Sequence, residues 1–317
     1  MIVNVVYGFL GAGKTTFIKH IMDYPPAGEK LVVLVNEFGE VGVDGLILSD
    51  QKGLIADVVE LPSGCICCTL ASDFRRQFME IHERFQPDRI IVEPTGVALI
   101  SQILQILEGE DVRRLYSDFS LIHILDSSEF LNFIKRQRHF MENQLRRSRL
   151  VILNKIDRIK PHMVELLRQS VNEINPDAEV YPTSFGRVDA GIVKRMLGMV
   201  ERVTEGAPLD EEHEEEHDHD HRNDFAAQFS SFGKKYEATF DRQCLQSFFE
   251  KLKNRNFGEV VRAKGVFRTP DEWIKLELAS GEVRLDPVPA AAESVVSIIG
   301  IGMNTNEMEH GLIGCQT

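Results

Sequence analysis

One short run constrains the fold more than any other: Gly8-Phe9-Leu10-Gly11-Ala12-Gly13-Lys14-Thr15, of the form GxxxxGK[ST]. It follows the apolar stretch IVNVVY and leads into TFIKHIM, which has helical character. A buried strand, a glycine-rich turn and a helix in that order build a cradle for phosphate. The glycines let backbone N–H groups wrap the anion, and the helix N-terminus adds partial positive charge. Lys14 brings a full charge to the outer phosphates, and the Thr15 hydroxyl can ligate magnesium. Gly8, Gly11, Ala12, Gly13, Lys14, Thr15 and Thr16 are the candidate phosphate-contact residues.

A strand–loop–helix unit of this kind needs a parallel sheet around it, and the chain supplies one. LVVLVN, DVVELP, RIIVEP, SLIHILD, RLVILN and AEVYPTS read as further short, β-branched strands. Such runs suit strands buried on both faces. Helical patterns lie between several of them: SDFRRQFMEIHERF, SEFLNFIKRQRHFMENQL read as one helix, and PHMVELLRQSVNEIN with Pro161 at a first helical position. The expected class is α/β, a doubly wound, mostly parallel sheet. Residues 1–203 form this expected nucleotide domain. Residues 204–224 are acidic and His-rich, with almost nothing to bury, and read as a linker. Residues 225–317 read as a small α+β domain, with strands KKYEATF, EVVRAKGVF, WIKLELA, EVRLDPV and SVVSIIGIG. Its helix is DRQCLQSFFEKLKN, with Asp241 as the N-cap.

Two more stretches extend the phosphate site. RIIVEPTG ends a strand in Glu93, where a carboxylate can hold the magnesium shell, and Gly96 lets the chain approach the terminal phosphate. RLVILNKID ends the strand at 149–154 with an NKxD sequence. There Asp157 can accept hydrogen bonds from the guanine N1–H and amino group, which adenine cannot offer. Asn154 orders the loop and can reach the base, and Lys155 can lie along its face. Partners left unpaired by the wrong base cost about 1–3 kcal/mol each. The expected ligand is GTP, with GDP as product. Thr183 and Ser184, ending the next strand, are candidates for the far side of the base pocket.

Three of the five cysteines fall in GCICC, as Cys65, Cys67 and Cys68. An odd count with this crowding points to a reducing compartment, hence the cytoplasm, and to metal binding in preference to disulfides. Cys244, on an apolar helical face, reads as core, and Cys315 as incidental. Soft thiolates select zinc, copper(I) or, with mixed ligands, cobalt and nickel, of which zinc is ranked first and cobalt second, and three sulfurs leave an open coordination position suited to transfer. Redox sensing by adjacent thiols is the competing reading. No apolar run approaches the roughly 18 residues of a membrane span. The net charge of −13 argues against a nucleic-acid partner. More than half of that charge comes from eight acids in DEEHEEEHDHD. His213, His217, His219 and His221 in this segment are either part of a solvated acidic tether or low-affinity metal collectors.

Together, GFLGAGKTT, VNEFGEVGVDG, ELPSGCICCTL, VEPTG and NKID resemble the CobW-type P-loop GTPases, of the CobW/HypB/UreG metallochaperone group. The resemblance spans the first two hundred residues, and RAKG in the C-terminal part (Arg262 to Gly265) is similar to that family too. It implies that Cys65, Cys67 and Cys68 bind the transferred metal. It implies that Glu37, Gly39 and Asp44 belong to the first switch region, and that Glu93 and Gly96 form the magnesium motif. Some relatives carry ENEFG, but here Val35 replaces the first Glu. A fourth metal ligand must then come from Glu37, Glu40, the His-rich linker, water or a partner.

The function implied is a slow GTPase that binds a metal and delivers it to a client metalloprotein or to cobalamin assembly. The alternative is a GTP-regulated metal or redox sensor that delivers nothing. The sequence contains no evident arginine finger or water-positioning Gln. A partner, the metal or a homodimer would complete the site, and Glu37, Glu40 or Asp44 would orient water or touch magnesium.

Overall fold

A computed structural model of the chain describes residues 1–24, 28–35, 58–60, 69–96, 100–198, 201–202, 229–279 and 281–317. Glu37, Glu40, Asp44, Cys65, Cys67, Cys68 and the four linker histidines lie outside these residues, as does all of 204–224.

The first body is a parallel sheet of β1 (Ile2–Tyr7), β2 (Leu31–Val35), β3 (Val58–Glu60), β4 (Arg89–Glu93), β5 (Asp118–Asp126), β6 (Leu150–Asn154) and β7 (Glu179–Pro182). Their spatial order is β3-β2-β4-β1-β5-β6-β7. A two-residue strand, β8 (Glu201–Arg202), runs antiparallel to the start of β5. The central strands are apolar on both faces because helices cover both. Val3, Val5, Ile90 and Val92 pack with Phe74, Phe78, Ile103 and Leu107 on one side. Val6, Ile91, Ile122 and Ile152 pack with Phe17, Ile18, Val193 and Met196 on the other. Those partners come from α1 (Lys14–Met22), α2 (Thr69–Phe85), α3 (Ile100–Glu108) and, after the short α4 (Glu110–Arg113), from α8 (Ala190–Gly198).

Strand order reverses at β1, with β4 and β2 on one flank and β5 and β6 on the other, all parallel to it. A crevice outside the carboxyl ends of the strands at such a switch point is where open α/β sheets bind ligands. The phosphate loop, Glu93, Asp126 and Asn154 all leave strands at that edge.

The helix expected over 128–145 is broken. It forms α5 (Phe130–Arg136) and α6 (Arg138–Arg146), because Gln137 departs from helical geometry at φ −136°. A straight helix would hold Phe133 and Phe140 about 10 Å apart along its axis. The break brings their ring centroids to 5.9 Å, with both rings around Phe9. The helix α7 (Pro161–Ile174) opens on Pro161 as expected.

The C-terminal unit is an antiparallel sheet in the order β12-β11-β10-β13-β9. Its strands are β9 (Phe229–Tyr236), β10 (Glu259–Arg268), β11 (Trp273–Ala279), β12 (Glu282–Val288) and β13 (Ser294–Ile301). The first of them starts earlier and stops sooner than the expected KKYEATF. It pairs with β13 from Phe229 to Tyr236, which buries Phe229 and Phe232. One face of the sheet packs on α9 (Arg242–Lys253) and α10 (Thr305–Ile313) through Phe240, Phe249, Phe267, Ile274, Leu276 and Ile298. Asp241 caps α9 by accepting from the Cys244 N–H at 2.7 Å.

Two cysteine readings are corrected. Cys244 and Cys315 form a disulfide across 71 residues, with Cα atoms 5.4 Å apart. Sequence could not pair them because the pairing is made by the fold. The chain end runs beside the start of α9, with Asp241 N donating to Cys315 O at 2.8 Å and Thr317 N to Thr239 O at 3.0 Å.

Candidate nucleotide site

The crevice at the strand ends is an open cavity of about 310 Å³. Gly11, Gly13, Lys14, Thr15, Thr16, Glu93, Asn154, Lys155 and Asp157 line it together. Gly8, Ala12 and Gly96 are not in the lining: the carbonyls of Gly8 and Ala12 accept from Lys14 and Asn154, and Gly96 lies against Leu10.

The phosphate loop owes its shape to positive φ. Gly8 has φ 143°, and a Cβ there would lie 2.1 Å from the Ile124 carbonyl oxygen. Gly13 has φ 102°, precedes the first residue of α1, and faces Asn154 so closely that a Cβ would sit 2.3 Å from Nδ2. Only glycine meets both demands. Lys14 is buried, its ammonium donating to the carbonyls of Gly8 at 3.0 Å and Phe9 at 3.3 Å. The Thr15 hydroxyl donates to the Glu93 carboxylate at 3.0 and 3.1 Å. A hydroxyl and a carboxylate meeting beside a phosphate cradle are hard oxygen donors, the set that suits magnesium.

The base end is built on Asn154, which serves both loops. Its Nδ2 donates to the Ala12 carbonyl at 2.8 Å, and its Oδ1 accepts from Gly186 N at 2.9 Å. Its carboxamide ties the phosphate loop to the turn after β7. Lys155 adopts φ 62° and pairs with Asp126 at 2.6 Å. Asp157 is exposed to the cavity. The turn after β7 meets the cavity through Phe185, whose ring is 63% exposed, not through Thr183 or Ser184. Thr183 is buried, and its hydroxyl donates to the Arg187 carbonyl. Val35, where some relatives carry Glu, is buried in the apolar core and registers with Glu93 on β4.

Behind the loop, His123 stacks on Tyr7 with centroids 4.7 Å apart. Burial, reinforced by the positive charge of Lys14, depresses its pKa to about 3 and keeps it neutral.

Sequence reasoning missed three parts of this site. Asp126 could have been flagged as an acid ending the strand beside NKID. Phe185 carries no signal of its own. The third is the far wall, formed by Arg262, Lys264, Lys275 and Glu277 of the C-terminal sheet. Among the described residues, no group of three or more His, Cys, Asp or Glu is arranged to hold a metal. No helix among them is long and apolar enough to cross a membrane.

Comparison with known proteins agrees with this geometry. A family described as "CobW/HypB/UreG, nucleotide-binding domain" matches residues 2–182, more than half of the chain. A second, "Cobalamin synthesis protein cobW C-terminal domain", matches residues 229–316. The zinc chaperone YeiR of Escherichia coli K12 is 28% identical over 291 residues, covering 89% of this chain and 88% of that protein. The zinc chaperone CobW of a Sinorhizobium species is 29% identical over 317 residues, covering 89% and 86%. The solved structure of Zn(II)-bound YjiA GTPase from E. coli aligns over 100% of this chain and 99% of its own, at 20% identity and a TM-score of 0.44. The assignment therefore rests on the two family matches: the chain belongs to the CobW/HypB/UreG family of P-loop GTPases and carries the CobW C-terminal domain.

Proposed function

We propose that the chain is a GTP-dependent zinc chaperone that holds zinc through Cys65, Cys67 and Cys68 and hands it to a client metalloprotein. The observation that carries the nucleotide half is the convergence of Lys14, the Thr15–Glu93 pair and Asp157 on one cavity. Asp157 reads guanine, and Lys155, held by Asp126, lies along the base. Lys14 neutralises the outer phosphates while water attacks the terminal phosphorus in line. Thr15 and Glu93 would hold magnesium, which supplies further charge neutralisation at the phosphates.

The zinc half is supported by the relatives named zinc chaperones. It is also supported by where the cysteine segment is anchored. Glu60, ending β3, registers with Val35, and Val35 registers with Glu93. The chain that carries the three cysteines thus leaves the sheet two strands from the magnesium carboxylate and returns at Thr69, the start of α2. Thiolates tied to that edge would feel nucleotide state through the loops between, the usual route by which GTPase switches act. With Val35 apolar, the remaining coordination position is left to another group, which suits a site that must release its metal.

The test is zinc affinity measured by competition with a chromogenic chelator, without nucleotide, with GDP and with a non-hydrolysable GTP analogue. Wild type is compared with the double variant Cys67→Ala/Cys68→Ala. Tight binding that needs the cysteines and changes with nucleotide is expected. Affinity indifferent to both would refute the reading.

A further inference from the structure

The turn that follows β7 holds a conformation its first central residue does not favour. Arg187 N donates to Ser184 O at 3.1 Å, closing a four-residue turn on Phe185 and Gly186. Both central residues have positive φ, 57° and 65°. Turns of that kind select Gly, Asn or Asp at the first central position, because a Cβ crowds the backbone there. A bulky phenylalanine is poorly suited to it. Gly186, by contrast, answers a local demand: a Cβ on it would lie only 3.1 Å from the Phe17 backbone.

The surroundings impose this shape. Gly186 N donates to Asn154 Oδ1 at 2.9 Å. Ile156 N donates to Thr183 O at 3.2 Å, and Thr183 N to Leu153 O at 2.8 Å. The turn is thereby tied to the loop after β6 on one side and rests on the first turn of α1 on the other. Backbone strain that the rest of the fold maintains is concentrated at sites of function. Among the described residues only four that are not glycine have positive φ, and two of them, Lys155 and Phe185, line the nucleotide cavity.

The Phe185 ring is 63% exposed and borders that cavity together with Asp157. A single exposed phenyl on a protein surface calls for no explanation. One that is exposed, set in disfavoured backbone and placed at the rim of a ligand cavity does. A purine base presents a polar edge and two flat π-faces. In the GTP reading Asp157 answers the edge. Lys155, anchored on Asp126 at 2.6 Å, offers an alkyl arm to one face. The remaining face wants a flat apolar partner, and an aromatic ring stacks favourably on any base.

We propose that Phe185 is a nucleotide-binding residue that stacks on the guanine base, opposite the arm of Lys155. This rests on the GTP reading of the cavity and deepens it. Base recognition is then divided between two residues: Asp157 selects guanine by its edge, and Phe185 adds affinity that does not depend on which base is bound. GTP and GDP share the base, so the ring holds both alike and leaves discrimination between them to the phosphate end. The strained turn serves the ligand and lowers the stability of the empty protein.

The experiment uses the full chain and calorimetric titration with GDP and with a non-hydrolysable GTP analogue, on wild type, Phe185→Gly and Phe185→Trp. The thermal midpoint of each is recorded without nucleotide. Loss of a base–aromatic stack corresponds to about a tenfold loss of affinity. We expect that loss in Phe185→Gly, equal for the two nucleotides, with a thermal midpoint not below wild type because glycine accepts positive φ freely. Phe185→Trp should keep the affinity, and its added indole emission, read against wild type with its single Trp273, should be quenched by saturating GDP. Unchanged affinity in Phe185→Gly would overturn the proposal. So would an affinity loss accompanied by a lower thermal midpoint, which marks a ring that only supports the turn, or indole emission in Phe185→Trp that ignores GDP. If wild type itself binds no guanine nucleotide, the reading of the cavity fails. If wild type and Phe185→Gly bind it equally well, only this inference fails.

Discussion

The two walls of the nucleotide cavity are built on different principles. The first wall is backbone. Its groups are amides and carbonyls of a glycine-rich turn, shaped by positive φ at Gly8 and Gly13 and stitched by Asn154 to Ala12 and Gly186. The second wall is side chain. A regular antiparallel sheet presents Arg262, Lys264, Lys275 and Glu277 from positions that any sheet could fill with other residues. A backbone wall is specified by a few contiguous residues and tolerates almost no substitution at its glycines. A side-chain wall is specified by alternation along strands and by what docks the sheet in place. The first is local and stiff. The second depends on docking, through Phe9 and Leu10 packed with Phe229 and Ile299 and through the Arg158–Glu282 pair. Burying such large apolar side chains is worth about 1.5–3 kcal/mol each.

The largest expected effect breaks the first wall. Lys14→Ala removes the ammonium that the loop carbonyls of Gly8 and Phe9 hold ready. It should weaken GTP binding by about 100-fold or more, given the strength of charge-assisted hydrogen bonds to phosphate, as read by titration with a fluorescent analogue. A smaller change sharpens the same wall at its base end. Asp157→Asn should cut the preference for GTP over ATP by about 10- to 100-fold, as mismatched buried donors predict. The measurement is competition of the two nucleotides for one probe, and an unchanged ratio would remove Asp157 from base recognition.

The scaffold behind the second wall can be loosened at its disulfide. Cys315→Ser opens the bond to Cys244 and should cost the C-terminal domain about 2–4 kcal/mol, measured by urea unfolding of the variant against oxidised wild type. Behind the first wall, the buried neutral His123 supplies a pH dependence. Its folded pKa, about 3, lies below the unfolded value, so below about pH 6.5 the unfolded chain takes up a proton that the folded chain refuses. Stability therefore falls as the medium is acidified, by about 2 kcal/mol from this group at pH 5. His123→Phe should flatten the loss between pH 7 and 5. Glu277 does not confound this window, because a carboxylate with a lowered folded pKa loses its contribution only near and below its own acidic range. The smallest effect tests the fold beneath the second wall. Asp241→Ala removes the cap on Cys244 N and should cost about 1 kcal/mol of stability in urea unfolding, with nucleotide affinity unchanged.

Much of the first wall is legible in the amino-acid sequence alone. The glycine loop, Glu93 and Asn154-Lys155-Ile156-Asp157 are short motifs whose function follows from residues within a few positions of each other. The apolar runs that form β1, β2, β4, β5 and β6 are legible because strands buried on both faces leave no polar position to confuse the pattern. The break at Gln137 is not, since the heptad-like spacing of Phe133 and Phe140 also fits one continuous helix. The Cys244–Cys315 bond is hidden for a different reason: two cysteines 71 residues apart carry no mark of proximity. Asn154 is legible as a residue that orders its loop; the sequence does not show that its carboxamide joins that loop to two others, at Ala12 and Gly186.

By itself the sequence determined a P-loop parallel sheet, the position of an NKxD loop at a strand end and a separate C-terminal unit, because each depends on periodicity or on contiguous motifs. Only the tertiary structure decided that the C-terminal sheet turns its charged face to the phosphate loop. In sequence, Arg262, Lys264 and Lys275 are ordinary alternating charges of strands, indistinguishable from residues facing water. What separates them is burial against a second body far upstream in the chain. That burial is set by packing of Phe9 and Leu10 and by the Arg158–Glu282 pair, interactions that link distant positions and leave no periodic trace in the sequence.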